Sequence, residues 1–175
     1  MGGFFGVVST HDAISDVFFG TDYHSHLGPR RGGMAAYDAE IGLQRDIHNI
    51  ENSPFRTKFD HIFEEMKGNS AIGCISDSDP QPLLMRSSMG VYAISFVGRI
   101  NNAEELIEKY LLKNGGHFNA MTGGKINSVE LVSALISWAI AMWIPARSIA
   151  LWHILWIFWA SPPRILMASA GILTS

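Results

Sequence analysis

Glu130 is the last acidic residue of the chain, and beyond it only Arg147 and Arg164 carry a formal charge. All 16 acidic residues and all but two of the 13 basic ones lie upstream, so the solvated surface of any folded domain has to come from there. With 175 residues, the chain suits one domain with a sizeable core, or one domain plus an appendage. Its net charge is −3, and no Lys/Arg cluster is dense enough to follow a phosphate backbone, which argues against nucleic-acid binding. The lone cysteine, Cys74, cannot form an intrachain disulfide, so an oxidising compartment is not required.

Upstream of Glu130, short apolar runs alternate with turn and cap signals. "GFFGVVS" predicts a buried strand, rich in β-branched and aromatic residues. "STHDAISDVFFG" predicts a helix with Ala13, Ile14, Val17 and Phe18 inward, capped by Ser9 or Thr10 and ended by Gly20. The following "TDYHSHLGPRRGGMAAYD" reads as a glycine-rich loop leading into a strand near 34–37, and then a polar stretch. A helix is expected over "SPFRTKFDHIFEEMKG", with Phe59, Ile62, Phe63 and Met66 on its apolar face and Gly68 as its stop.

"NSAIGCIS" reads as a strand, "DSDPQP" as a turn, and "PLLMRSS" with "MGVYAISFVG" as a hairpin turning at Gly90. "NNAEELIEKYLLKNGG" is the clearest helix. Asn102 and Glu105 form a capping-box pair, and Gly115 ends it. "NSVELVSALI" repeats the device with Asn127 and Glu130. Strands, hairpins and helices in this order predict an α+β layered domain.

The C-terminal tail admits three readings. The uncharged runs 131–146 and 148–163 could form a membrane hairpin, but each is shorter than the ~20 residues of a usual span, and prolines interrupt them. They could form two helices packed on the first domain or on a partner. The abrupt loss of Lys, Asp and Glu favours the third reading, an out-of-frame continuation. All five tryptophans lie between positions 138 and 159, inside this tail.

At the other end, "MGGFFG" has no basic leader ahead of its apolar run, so a secretory signal is not expected, and Gly6 breaks the myristoylation pattern. Removal of the initiator Met would leave Gly2 first, at the head of an N-terminal strand.

The ordered set "GFFGVVS", "GTDYHSHLGPRRGGMAAYD", "GNSAIGCISDSDPQPL", "MGVYAISFVGRINNAEELIEKYL" and "NSVELVSALI" resembles the N-terminal glutaminase domain of amidophosphoribosyltransferases. That domain is a class II glutamine amidotransferase of the N-terminal-nucleophile hydrolase type. The resemblance covers residues 1–136, leaves 137–175 as the apolar tail, and implies a four-layer αββα fold, here present in part. In the family, a cysteine that follows the initiator Met attacks the glutamine side-chain amide, with its own α-amine as base. An Asn side chain and the next glycine N–H hold the oxyanion, and an arginine and an aspartate hold the glutamine backbone groups.

The resemblance puts Gly2 at the nucleophile position and Val97-Gly98 at the Asn-Gly pair. Gly98 thus keeps one backbone oxyanion donor. It puts the substrate arginine near Ser76 and the aspartate near Ser128, beside Asn127. No catalytic set is intact on this reading, and losing the nucleophile alone removes nearly all catalysis.

Among possible replacements, Cys74 lies in an apolar strand and reads as an inert buried thiol. His24 and His26 would share a face in an extended segment and could hold a metal, but no third ligand stands nearby, so no metal site and no cofactor are expected. Arg30 and Arg31, beside Gly32-Gly33, could hold a carboxylate or phosphate, and Arg31 with Gly32 are the substrate-binding candidates.

The resemblance therefore implies an amidotransferase-like domain that would supply ammonia for phosphoribosylamine formation in purine synthesis, cytoplasmic, here truncated and without glutaminase activity. A glutamine-like small molecule is the expected ligand, and self-association or a partner domain is expected through the tail. The alternatives are a non-catalytic ligand-binding or regulatory descendant, and a membrane-anchored protein held by 131–175.

Overall fold

The first apolar run forms β1 (Gly3–Val8), and α1 (Ile14–Ser25) follows it in a computed structural model that describes residues 2–26, 28–87, 90–143 and 165–169. Helix α1 does not stop at Gly20. A Cβ at that position would stand 2.3 Å from the Phe5 ring, so the glycine lets the helix lie against β1. Ser9 and Thr10 do not cap α1 either. The Asp12 carboxylate accepts the Ile14 N–H at 3.3 Å and the Gly68 N–H at 3.0 Å, tying the helix start to a distant turn.

The "loop" of the sequence reading is largely structured. Helix α1 continues to Ser25, and β2 (Arg31–Asp38) already includes Arg31, Gly32 and Gly33. The polar stretch that follows is β3 (Gly42–Asn49), paired along its whole length with β2. The expected helix over 53–68 is two single turns, α2 (Phe55–Lys58) and α3 (Ile62–Glu65). Phe59, Ile62 and Met66 are buried as expected, whereas Phe63 is 45% exposed.

Strands β4 (Ser70–Ser76), β5 (Leu83–Ser87) and β6 (Gly90–Val97) follow the sequence reading, with β5 and β6 antiparallel. So does α4 (Ala103–Asn114), closed by Gly115 in the left-handed conformation at φ 58°. Its start departs in detail. The Asn102 side chain makes no cap bond, and Lys109, then Asn102, hold the Glu105 carboxyl below its ordinary range. Two short strands, β7 (Met121–Thr122) and β8 (Lys125–Ile126), precede α5 (Ser128–Trp143). Asn127 caps α5, its Oδ1 accepting the Val129 N–H at 2.8 Å. Glu130 does not complete a capping box. Its carboxylate accepts the N–H groups of Asn119 and Ala120 instead.

The strands form one sheet in the order β1-β4-β2-β3, all antiparallel, and a second containing β5 and β6. Strand β9 (Ile165–Ser169), from the tail, pairs with β6 in parallel. Alternation along the strands sorts side chains into layers. Met34, Ala36, Ala71 and Ile75 face α1, α2 and α3 in the largest apolar cluster. Ala35 and Ile72 face Ala93 of the second sheet, and Tyr92, Ile94 and Phe96 pack on the other side against Val129 of α5. The result is helices, sheet, sheet, helices, the αββα order that the resemblance implies.

Helix α5 runs through position 136, so the expected boundary there falls inside a helix. The run 148–163, on which the three readings of the tail turn, lies outside the described residues. Among the described residues, no helix is long and apolar enough to cross a membrane.

Candidate functional site

The strand register brings several of the positions singled out in the sequence to one end of the gap between the sheets. Gly3 pairs with Ile75 and Arg31 pairs with Ser76, so Gly2, Ser76 and Arg31 follow one another across β1, β4 and β2. Strands lie about 4.8 Å apart, which puts Arg31 roughly 10 Å from Gly2, with Ser76 between them. By the alternation, Arg31 and Ser76 share the face turned to the second sheet.

From that second sheet, Val97 closes on Gly2. A Cβ at Gly2 would stand 3.3 Å from Val97 Cγ1 and 3.2 Å from the Ile75 carbonyl oxygen. Gly98 follows Val97 directly and is exposed. The Ser76 hydroxyl donates to the Asp79 carbonyl, and the Asp79 carboxylate accepts the Ser128 N–H at 3.3 Å. Asn127 Nδ2 donates to the Pro80 carbonyl at 3.2 Å, and Gln81 Oε1 accepts the Phe96 N–H at 2.9 Å. The turn after β4 is thereby pinned to β6 and to the start of α5.

Chemically, this end offers little to a reaction. Gly2 has no side chain, Val97 is apolar, and Ser76 and Ser128 are neutral where the resemblance calls for an arginine and an aspartate. Arg31 is a cation at this end, on the face turned to the second sheet. Gly32, its expected companion, has its α-hydrogens on the opposite face, where a Cβ would meet Phe55 at 2.9 Å and Ile50 at 3.3 Å. Its smallness serves the packing of the first sheet on α2.

The other candidates lie elsewhere. Arg30 sits 3.6 Å from Glu51 at the rim of a cavity of about 630 Å³, lined also by Asp22, His26, Phe55 and Arg56. That cavity is on the helix side of the first sheet, the face opposite to the one that Arg31 and Ser76 share. Asp22 is buried there and accepts a hydrogen bond from Arg56 Nε at 2.6 Å. A smaller cavity of about 300 Å³ lies between Asn101, Asn102, Lys125 and Ser128.

His24 and His26 are not in an extended segment. His24 is in the last turn of α1 and His26 follows with helical dihedrals, so two positions apart they point to different sides. Cys74 faces the gap between the sheets beside Ser95. Burial pushes its thiol up to about 12, only partly offset by the Ser95 hydroxyl, so it is protonated at neutral pH and a poor nucleophile.

No protein-family model matches this chain, and no curated protein matches it. Solved structures do. One is the glutamine phosphoribosylpyrophosphate (PRPP) amidotransferase from B. subtilis complexed with ADP and GMP, 24% identical with a TM-score of 0.59. Another is described as the allosteric regulatory enzyme of purine biosynthesis, 21% identical with a TM-score of 0.56. Each match covers 78% of this chain and 29% of the other, so this chain corresponds to less than a third of either protein. The fold of this chain is the one those amidotransferase structures contain, in agreement with the resemblance read from residues 1–136.

Proposed function

We propose that this chain is a glutamine amidotransferase-like domain of the amidophosphoribosyltransferase type that has lost its glutaminase chemistry. The observation that carries this reading is Gly2, held at the end of β1 against the Ile75 carbonyl and Val97 with no nucleophilic atom. Without a thiolate no thioester forms, and without the Asn side chain beside it an oxyanion would have one backbone donor in place of two. The transferase half of the family reaction needs a diphosphate-binding loop, and no segment of this sequence resembles one. A cytoplasmic setting fits the family.

Arg31 favours a second reading, ligand binding without turnover. It stands one strand from Ser76, on the face where the substrate arginine would act, and its guanidinium can reach a carboxylate there. Incubation of the full chain with glutamine, followed by glutamate and ammonia measurement, tests the first reading. No release above a protein-free control is expected, and sustained turnover overturns it. Calorimetric titration with glutamine tests the second. Binding that Arg31→Ala abolishes supports it, and no heat of binding rejects it.

A further inference from the structure

On β3, the strand at the opposite edge of the first sheet from β1, and on the helix side of that sheet, three side chains converge whose chemistry none of the foregoing uses. Asp46 and His48 are two apart on β3, so both point to the same face. Strand β3 is held there by its pairing with β2, Met34 opposite Asp46 and Gly32 opposite His48. His61 comes from the start of α3, two positions after the fully buried Phe59, whose ring meets the edge of His48 at 4.9 Å. His48 Nε2 lies 2.8 Å from Asp46 Oδ2, and His61 Nε2 lies 2.9 Å from the same oxygen. One ligand atom from each residue falls within 4.8 Å of the other two.

We propose that Asp46, His48 and His61 form a binding site for a divalent first-row transition metal, with Zn²⁺ the best-fitting ion. Two imidazoles and one carboxylate are the three-ligand set of open zinc sites, which leaves a fourth position for water or a further ligand. Zinc bonds of about 2.0–2.2 Å put tetrahedral ligand atoms about 3.3 Å apart, so the two nitrogen–oxygen distances would open by roughly half an ångström to admit the ion. The side chains are 27–34% exposed, enough for an ion and its water to enter. Asp60 Oδ1 lies 3.8 Å from His61 Nδ1, beyond hydrogen-bond distance, and adds negative charge beside the cluster. Mg²⁺ and Ca²⁺ prefer shells of oxygen, and this donor set gives them one carboxylate.

The test uses the full, untagged chain after chelator treatment, titrated with Zn²⁺ against a chromophoric chelator and, separately, with Co²⁺ followed by visible absorption. One equivalent of Zn²⁺ is expected to bind, undisturbed by excess Mg²⁺. His48→Ala and His61→Ala are each expected to lower the affinity at least tenfold, and His24→Ala to leave it unchanged. His61→Gln, which keeps side-chain size, guards against a folding defect and is expected to behave as His61→Ala, with circular dichroism confirming the fold. A Co²⁺ spectrum of four- or five-coordinate intensity supports the site. Absence of stoichiometric binding overturns it, and so does a His61→Gln protein that binds Zn²⁺ as tightly as the parent. In either case Asp46 is only a hydrogen-bond acceptor shared by two imidazoles.

Discussion

Gly2 and Val97 meet across the gap between the two sheets, 3.3 Å from a Cβ built on the first to Cγ1 of the second. They are the positions that the resemblance gives to the nucleophile and to the oxyanion asparagine, and neither carries a polar side chain. The fold brings the two positions together, and neither side chain offers a nucleophile or an oxyanion donor.

Restoring the thiol alone is therefore expected to fail. Gly2→Cys puts its Cβ closer to Val97 and to the Ile75 carbonyl than ordinary contact, and the oxyanion amide is still missing. Loss of one oxyanion donor costs about 10²–10³ in rate by itself. A glutamate-release assay, with intact mass to establish that the introduced thiol is N-terminal, should read background, and turnover above it would contradict this account.

Gly20→Ala is expected to destabilise the domain although it places a better helix former inside α1. The added methyl overlaps the Phe5 ring, and such overpacking costs about 1–3 kcal/mol against at most ~1 gained in helix propensity. Urea unfolding of the single variant and of the Gly20→Ala/Phe5→Leu pair checks the cause. The penalty should shrink in the pair, and an unchanged penalty would point away from Phe5.

Glu130→Ala should loosen the segment before β7. The carboxylate accepts the Ala120 N–H at 2.7 Å and the Asn119 N–H at 2.9 Å, and hydrogen bonds to a charged group are worth about 1.5–3 kcal/mol. Glu130→Gln, which keeps one acceptor oxygen, should lose less. Hydrogen exchange at the two amides is the direct readout, and unchanged protection in Glu130→Ala would refute the assignment.

Cys74 gives stability a pH dependence on the alkaline side. The folded thiol is held near 12 and the unfolded one near its ordinary value of about 9. Above pH 9 the unfolded chain sheds a proton that the folded chain retains, so the unfolded state gains. Stability should fall through the window from about 9 to about 12, by up to ~1.4 kcal/mol per pH unit from this group. Comparing the slope for Cys74→Ala with that of the parent isolates the thiol from tyrosine and lysine, and equal slopes would remove Cys74 as the cause.

What was legible in the sequence, and what was not, divides along physical lines. Helix α4 was readable because its stop is local. Gly115 takes a left-handed conformation at almost no cost, whatever packs around it. Strand β4 was readable from a short apolar run, because both of its faces are buried. Strand β3 was not, since Gln44, Arg45, Asp46, His48 and Asn49 carry no apolar alternation. It is a strand because the edge of β2 needs a hydrogen-bonding partner. The Asp46, His48 and His61 group escaped for a related reason. Its third ligand comes from another element, and the two-apart spacing of Asp46 and His48 gains meaning only once their polar stretch is a strand, whereas the same spacing at His24 and His26 is driven apart by a continuing helix.

The sequence by itself determined the α+β layer class, the apolar faces and most of the helix and strand assignments, because each rests on residue type and short-range periodicity. Tertiary structure decided which residues meet. Only the sheet register sets Arg31 beside Ser76, only the approach of β6 sets Val97 against Gly2, and only the packing of α3 brings His61 to Asp46. Side-chain contacts between distant segments depend on how whole elements pack, and local propensity carries no record of that.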